Sequence, residues 1–187
     1  MHPARSDGVA LLVTGPLGSG KTSVAAEVGA LLEHAGVPNA VVDLDWLAWV
    51  GPGITDERLL AVLHDNLRAV LNRFRVEGIS RFLLARTVQS AAELTALADA
   101  VAPAQLTVVR LEVPTEVAAE RVRQRAPVDS VLTDHDLSQQ TELWTASTLL
   151  DADAVVDNGE RPLSAVAAEV LAHLRAHDPQ WAMPTGA

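Results

Sequence analysis

The chain has 187 residues, 49% of them hydrophobic, a formal net charge of −10 and no cysteine. One domain is the prior at that length, and it is long enough to bury a substantial core. Disulfides and thiolate metal sites are excluded, general nucleic-acid binding is disfavoured by the acidic surface, and no apolar run approaches the roughly 20 residues of a membrane-spanning helix.

In chain order, strands alternate with helical patterns, the signature of a parallel α/β sheet. Val9–Thr14 is a short apolar run that reads as a strand buried on both faces rather than as part of a leader. Next comes Gly15-Pro16-Leu17-Gly18-Ser19-Gly20-Lys21-Thr22, a full match to the phosphate-binding loop G-x-x-x-x-G-K-[ST]. Thirteen of the 14 cationic residues are Arg, and the one Lys sits in this loop. A helix is predicted over 22–35, stopped by Gly36 and Pro38, and then a strand Ala40–Val42 running into Asp43-Leu44-Asp45. Thr55 opens a long helix in which Leu59, Leu60, Leu63, Leu67, Val70, Leu71 and Phe74 share helical spacing, and Gly78 ends it. Arg81–Ala85 reads as the third strand. Ser90 with Glu93 forms a capping box for a helix to about Ala102. A fourth strand is expected over 106–113, a helix from Pro114 through Arg125, and a loop over 126–133. Another helix should run from Thr133 to about Leu150, then a fifth strand at Ala154–Val156 and a last helix from Pro162 to near His177. The expected organisation is a single domain over 1–187 with its core at 9–177. The tail 178–187, with two prolines and no periodicity, is expected to be loosely held.

The glycine loop carries the strongest chemical signal. Glycines 15, 18 and 20 let backbone N–H groups converge on phosphate oxygens, and the following helix presents its N-terminus to the same anion. Lys21 supplies a point charge to the β- and γ-phosphates, and the Thr22 hydroxyl is placed to ligate Mg²⁺. Nucleoside triphosphate binding by residues 15–23, Ser23 included, follows from that context. Asp43 and Asp45 lie two apart, on one face in a strict strand, at the carboxyl end where open α/β sheets bind ligands. One carboxylate suits the Mg²⁺ shell and the other suits accepting the proton of an attacking hydroxyl, against a bland reading as solvated turn residues. Arg121 and Arg125 share a helix face and suit a transition-state phosphate clamp, with a favourable helix C-terminal charge cluster as the competing reading. Arg86, directly after the third strand, suits a carboxylate or phosphate of the second substrate or else a surface ion pair. Trp46 and Trp49 are expected in the core rather than stacked on a substrate. His64 has no partner deducible from sequence. Asp134-His135-Asp136 is better explained as a helix start capped by Thr133 than as a metal site.

Together these residues resemble the P-loop small-molecule kinases over about residues 9–175, in particular the adenylylsulfate, gluconate and shikimate kinase group, and also ATP-binding proteins of actinobacterial type. The match rests on the loop, the D-x-D after the second strand, the Arg-x-x-x-Arg helix after the fourth, and Asp157-Asn158-Gly159 with Pro162 after the fifth. The resemblance implies a three-layer α/β/α P-loop NTPase fold with a five-stranded parallel sheet in the order 2-3-1-4-5. It implies ATP and Mg²⁺ as cofactors, Asp45 as base, Asp43 serving the metal, Arg125 near the nucleotide, Asn158 in the turn that packs on adenine, and a lid over about 121–136. One departure stands out: residues 126–160 contain no Lys or Arg and eight acids. The expected function is ATP-dependent phosphoryl transfer to a small-molecule acceptor in the cytoplasm, with no nucleic-acid or membrane partner and a homodimer left open. The alternatives are a nucleotide-binding regulator or slow NTPase, and a nucleic-acid end kinase disfavoured by the acidic surface.

Overall fold

A computed structural model describes residues 8–125 and 150–182. Five parallel strands form one sheet: β1 (Val9–Thr14), β2 (Ala40–Asp43), β3 (Arg81–Ala85), β4 (Gln105–Glu112) and β5 (Ala154–Asp157). Their order is β2-β3-β1-β4-β5, the order the family resemblance implies. β1 is central, paired with β3 from Val9↔Arg81 to Val13↔Ala85 and with β4 from Val9↔Gln105 to Thr14↔Arg110. That position explains why all six of its residues are buried. The described helices are α1 (Lys21–His34), α2 (Asp56–Val76), α3 (Ala91–Val101), α4 (Thr115–Arg125) and α5 (Leu163–His177).

Alternation along β1 divides the core into two layers. Val9, Leu11 and Val13 pack with Val24, Val28 and Leu32 of α1 and Val166, Val170 and Leu174 of α5. Ala10 and Leu12 face the other way, onto Leu63, Leu67 and Leu71 of α2 and Leu97 and Val101 of α3. The helix ends follow their local chemistry. Thr55 caps α2 with Asp56 and Glu57 in its first turn and Arg73 and Arg75 in its last, each charge placed to favour the helix dipole. At the other end Ile79 N–H donates to Phe74 O and Gly78 N–H to Arg75 O, the paired closing bonds of a Schellman stop.

Three expectations need correction. β2 ends at Asp43, and a 3-10 turn follows over Leu44–Ala48, so Asp43 and Asp45 do not share a strand face. The Asp43 carboxylate starts that turn by accepting from Asp45 N–H at 3.1 Å, a common use of Asp at a helix start. The tail is not loose over its first part. Pro179–Trp181 forms a 3-10 turn, Asp178 Oδ1 accepts from Gln180 N–H at 2.7 Å, and Trp181 is fully buried in the α1/α5 layer. Arg81 Nε holds the segment by donating to Gln180 O at 2.7 Å. The apolar area of one indole outweighs the absence of periodicity. Trp46 and Trp49 are not core residues: they are 71% and 60% exposed and stack on each other, with ring centroids 5.1 Å apart. Residues 133–149 of the expected helix that runs to about Leu150, with Asp134-His135-Asp136 and the C-terminal part of the lid, lie outside the described residues.

Candidate functional site

The glycine loop runs from the end of β1 into α1 and is held by three separate elements. The β3–α3 connection supports its base: Thr87 Oγ1 donates to Gly15 O at 3.1 Å, and Val88 N–H donates to Thr14 Oγ1 at 3.2 Å. Helix α4 presses on its apex. A Cβ on Gly18, whose φ is 77°, would lie 2.2 Å from Ala118 O, so only glycine fits. The turn after β5 grips its exit. Asn158, buried, donates from Nδ2 to Ser19 O at 2.7 Å. A Cβ on Gly20, φ 88°, would stand 2.6 Å from that same nitrogen. Within the loop, Lys21 Nζ donates to Pro16 O at 2.9 Å. Ser19 Oγ is buried with no hydrogen-bond partner among the described residues. A buried hydroxyl left unmatched is costly, so an oxygen-rich ligand entering the loop would satisfy it.

At the start of α1, Thr22 Oγ1 donates to Asp43 Oδ2 at 2.7 Å. Two oxygen donors therefore stand together beside the loop and the N-terminus of α1. Among the described residues no group of three or more His, Cys, Asp or Glu forms a metal cage. The donor set fits Mg²⁺ better than a metal needing an all-protein cage, since Mg²⁺ takes one or two protein oxygens and completes its shell with phosphates and water.

Asp45 points the other way, to Arg86. The Arg86 guanidinium donates from Nη1 to Asp45 Oδ1 at 2.9 Å and from Nε to Glu93 Oε1 at 2.7 Å. Glu93 also accepts from Gln89 N–H at 2.9 Å through Oε2, while its own N–H donates to Ser90 Oγ at 3.1 Å. The capping box is thus half present: the serine half forms, and the glutamate reaches past Ser90 to Gln89 and Arg86. Asp45 keeps 52% of its side chain open, against 17% for Arg86 and 5% for Glu93. Burial by the surrounding protein pushes the Asp45 carboxyl above the usual carboxylate value, with Arg86 and then Lys21 pulling the other way and Asp43 adding to the rise. A raised carboxyl beside a cleft is the direction a general base needs.

The cleft lies between the 3-10 turn and α2. It encloses about 240 Å³ and is lined by Asp45, Arg86, Trp49, Val50, Leu60 and Leu63 with Ala48 and Leu59. That is slightly below the roughly 300 Å³ at which ordinary ligand pockets begin.

The arginines of α4 divide. Arg121 donates from its guanidinium to the backbone carbonyls of Asn158 and Gly159, so it ties α4 to the turn that grips the loop. Arg123 pairs with Glu120 at 3.5 Å, and Arg125 is exposed at the helix end. Sequence reasoning missed two residues. Thr87 carries no motif of its own, and only the parallel pairing of β1 with β3 reveals that it meets Gly15. Glu93 was visible as a cap, not as the anchor of Arg86.

No family model matches the chain, and no curated protein matches it. Solved structures do. A gluconokinase from Sinorhizobium meliloti superposes with a TM-score of 0.61 at 23% identity, covering 92% of this chain and 95% of that one. An APS kinase from Mycobacterium tuberculosis, solved with AMPPNP and APS, gives 0.64 at 20% identity over 90% and 98%. A shikimate kinase from Aquifex aeolicus gives 0.57 at 17% over 90% and 98%. The chain has the fold of the P-loop small-molecule kinases. At these identities the likeness is one of architecture, and the ligands named for those proteins are theirs.

Proposed function

We propose that the protein is an ATP-dependent phosphotransferase that moves the γ-phosphoryl group to a hydroxyl of a small molecule. The observation that carries this reading is the split of the D-x-D pair: Asp43 turns to Thr22 at the loop, and Asp45 turns to the cleft. The two carboxylates have two environments and so suit two tasks.

In this reading the loop N–H groups, Lys21 and the α1 N-terminus hold the triphosphate. Thr22 and Asp43 would hold Mg²⁺, which neutralises phosphate charge when bound. Asp45 orients the acceptor hydroxyl and takes its proton. The hydroxyl oxygen bonds to the γ-phosphorus, the bond from that phosphorus to the β–γ bridging oxygen breaks, and ADP leaves. Arg86 holds Asp45 in place, and Glu93 holds Arg86. Arg121 acts on the nucleotide indirectly, through the Asn158 turn, and Arg125, exposed at the end of α4, would serve near the nucleotide. Replacing Asp45 with Asn should lower transfer by about 10²-fold or more, the usual range for a general base, with ATP affinity nearly unchanged. Wild-type transfer by that variant would sink the assignment.

A second reading, a nucleotide-binding regulator or slow NTPase, is favoured by the cation count. Arg121 is occupied by two carbonyls, and residues 126–160 contain no Lys or Arg. The two readings separate by product. Labelled ATP yields a phosphorylated small molecule in the first and only inorganic phosphate in the second.

A further inference from the structure

The cleft beside Asp45 has an unusual charge state for a place that would grip a second substrate. Its one guanidinium, Arg86, donates Nη1 to Asp45 and Nε to Glu93. Glu93 is itself almost completely buried and receives the Gln89 N–H, so it is not poised to swing away. The three charged side chains sum to about one negative charge. An anionic group entering here would meet the Asp45 carboxylate beside a cation whose charge is offset by Asp45 and, from behind the lining, by Glu93. It would compete with Asp45 and Glu93 for a single guanidinium, in surroundings whose charge already disfavours it.

The rest of the lining is apolar: Ala48, Trp49, Val50, Leu59, Leu60 and Leu63. Trp49 continues outward into the stack with Trp46, and the two indoles together with Val50 leave a large apolar surface open at the mouth. Indoles held in water need a reason, because burying them would be favourable. A planar or apolar body laid along them supplies it, while Asp45 supplies an acceptor for a hydroxyl proton.

Resting on the phosphotransfer reading above, we infer that the acceptor is an alcohol that carries no anionic group and that presents a planar or apolar body to the Trp46–Trp49 pair, with Arg86 serving to position Asp45 rather than to bind a substrate carboxylate or phosphate. Arg86 is then a positioning residue, which follows the ion-pair side of the two readings that its place in the sequence left open.

The test uses the full chain with pairs of hydroxyl compounds that share a skeleton and differ in charge, such as 1-phenyl-1,2-ethanediol against mandelate, extended over aromatic and alicyclic bodies with neutral, ammonium, carboxylate and phosphate members. Two readouts are taken: label transferred from γ-labelled ATP, and quenching of the exposed tryptophans with AMPPNP bound. The expected result is product and quenching from members without an anionic group, with binding at least about tenfold tighter than for their carboxylate partners. Glu93→Gln, which removes one of the two negative charges that offset Arg86, should shift the binding preference toward carboxylates. Asp45→Asn, which removes the other negative charge facing Arg86, should do the same by quenching and serves if the first variant does not fold. Preferential transfer to carboxylate or phosphate members overturns this inference and leaves phosphotransfer standing. An unchanged charge preference in both variants also overturns it. AMPPNP binding with no product from any member overturns phosphotransfer and this inference together.

Discussion

Gly20 and Asn158 are 138 positions apart, yet one side chain decides the cost of changing either. Asn158 Nδ2 donates to Ser19 O, and a methyl group on Gly20 would sit 2.6 Å from that nitrogen. Asn158→Ala leaves a buried carbonyl unpaired, at about 1–3 kcal/mol. Gly20→Ala imposes left-handed backbone strain of about 1–3 kcal/mol and expels the Asn158 amide, so it also loses the same hydrogen bond. The double variant keeps the strain but has no amide left to expel. Its total should therefore match Gly20→Ala alone, and the coupling energy should be about −1 to −3 kcal/mol, the size of the shared bond. Urea denaturation of the four proteins measures the cycle, and AMPPNP titration measures how much of each loss falls on the loop. Costs that add to within about 0.5 kcal/mol would refute the shared-contact account.

Other consequences follow from burial and charge. Trp181→Ala should destabilise by about 3–5 kcal/mol, as for other buried aromatic residues cut to alanine, and should lower the urea midpoint with little change in nucleotide affinity. Asp45 binds protons more readily in the folded state than in the unfolded one, because its folded value is raised. Unfolding free energy should thus fall as pH rises from near 3.8 through that raised value, and Asp45→Asn should remove this component from the stability difference measured across pH 4–7. The same shift moves the acid limb of transfer activity upward from the ordinary aspartate value, and an acid limb at or below 3.8 would count against Asp45 as the base.

The alternation of strand and helix, the loop and the ends of α1, α2 and α3 were legible in the sequence, because each rests on a local rule: an apolar run, a capping Thr or Ser, a stopping Gly. Strand order came only through the resemblance, since pairing of β1 with β3 and β4 is set by contacts far apart in the chain. The errors share one cause. The D-x-D was read by strand period, but Asp43 accepts the Asp45 N–H and turns the chain into a 3-10 segment. Trp46 and Trp49 were placed by residue type, although their turn lies at the rim of the sheet. Trp181 was placed by its flanking prolines, although the α1/α5 layer needed a large side chain. The partners of Arg86 were invisible because Asp45 and Glu93 reach it from different elements.

The clamp on the glycine loop also bears on how the chain is made. The loop is translated before its supports, which arrive in turn: Thr87 and Val88, then Ala118 on α4, and last Asn158. β1 cannot complete either edge until β3 and β4 have left the ribosome. A nascent chain that has not yet reached Asn158 therefore carries the whole loop motif without the geometry that gives it use, in keeping with the late closure of parallel sheets. Nucleotide binding would then report that synthesis has reached the fifth strand, and a ligand added during translation would stabilise only chains that have passed it.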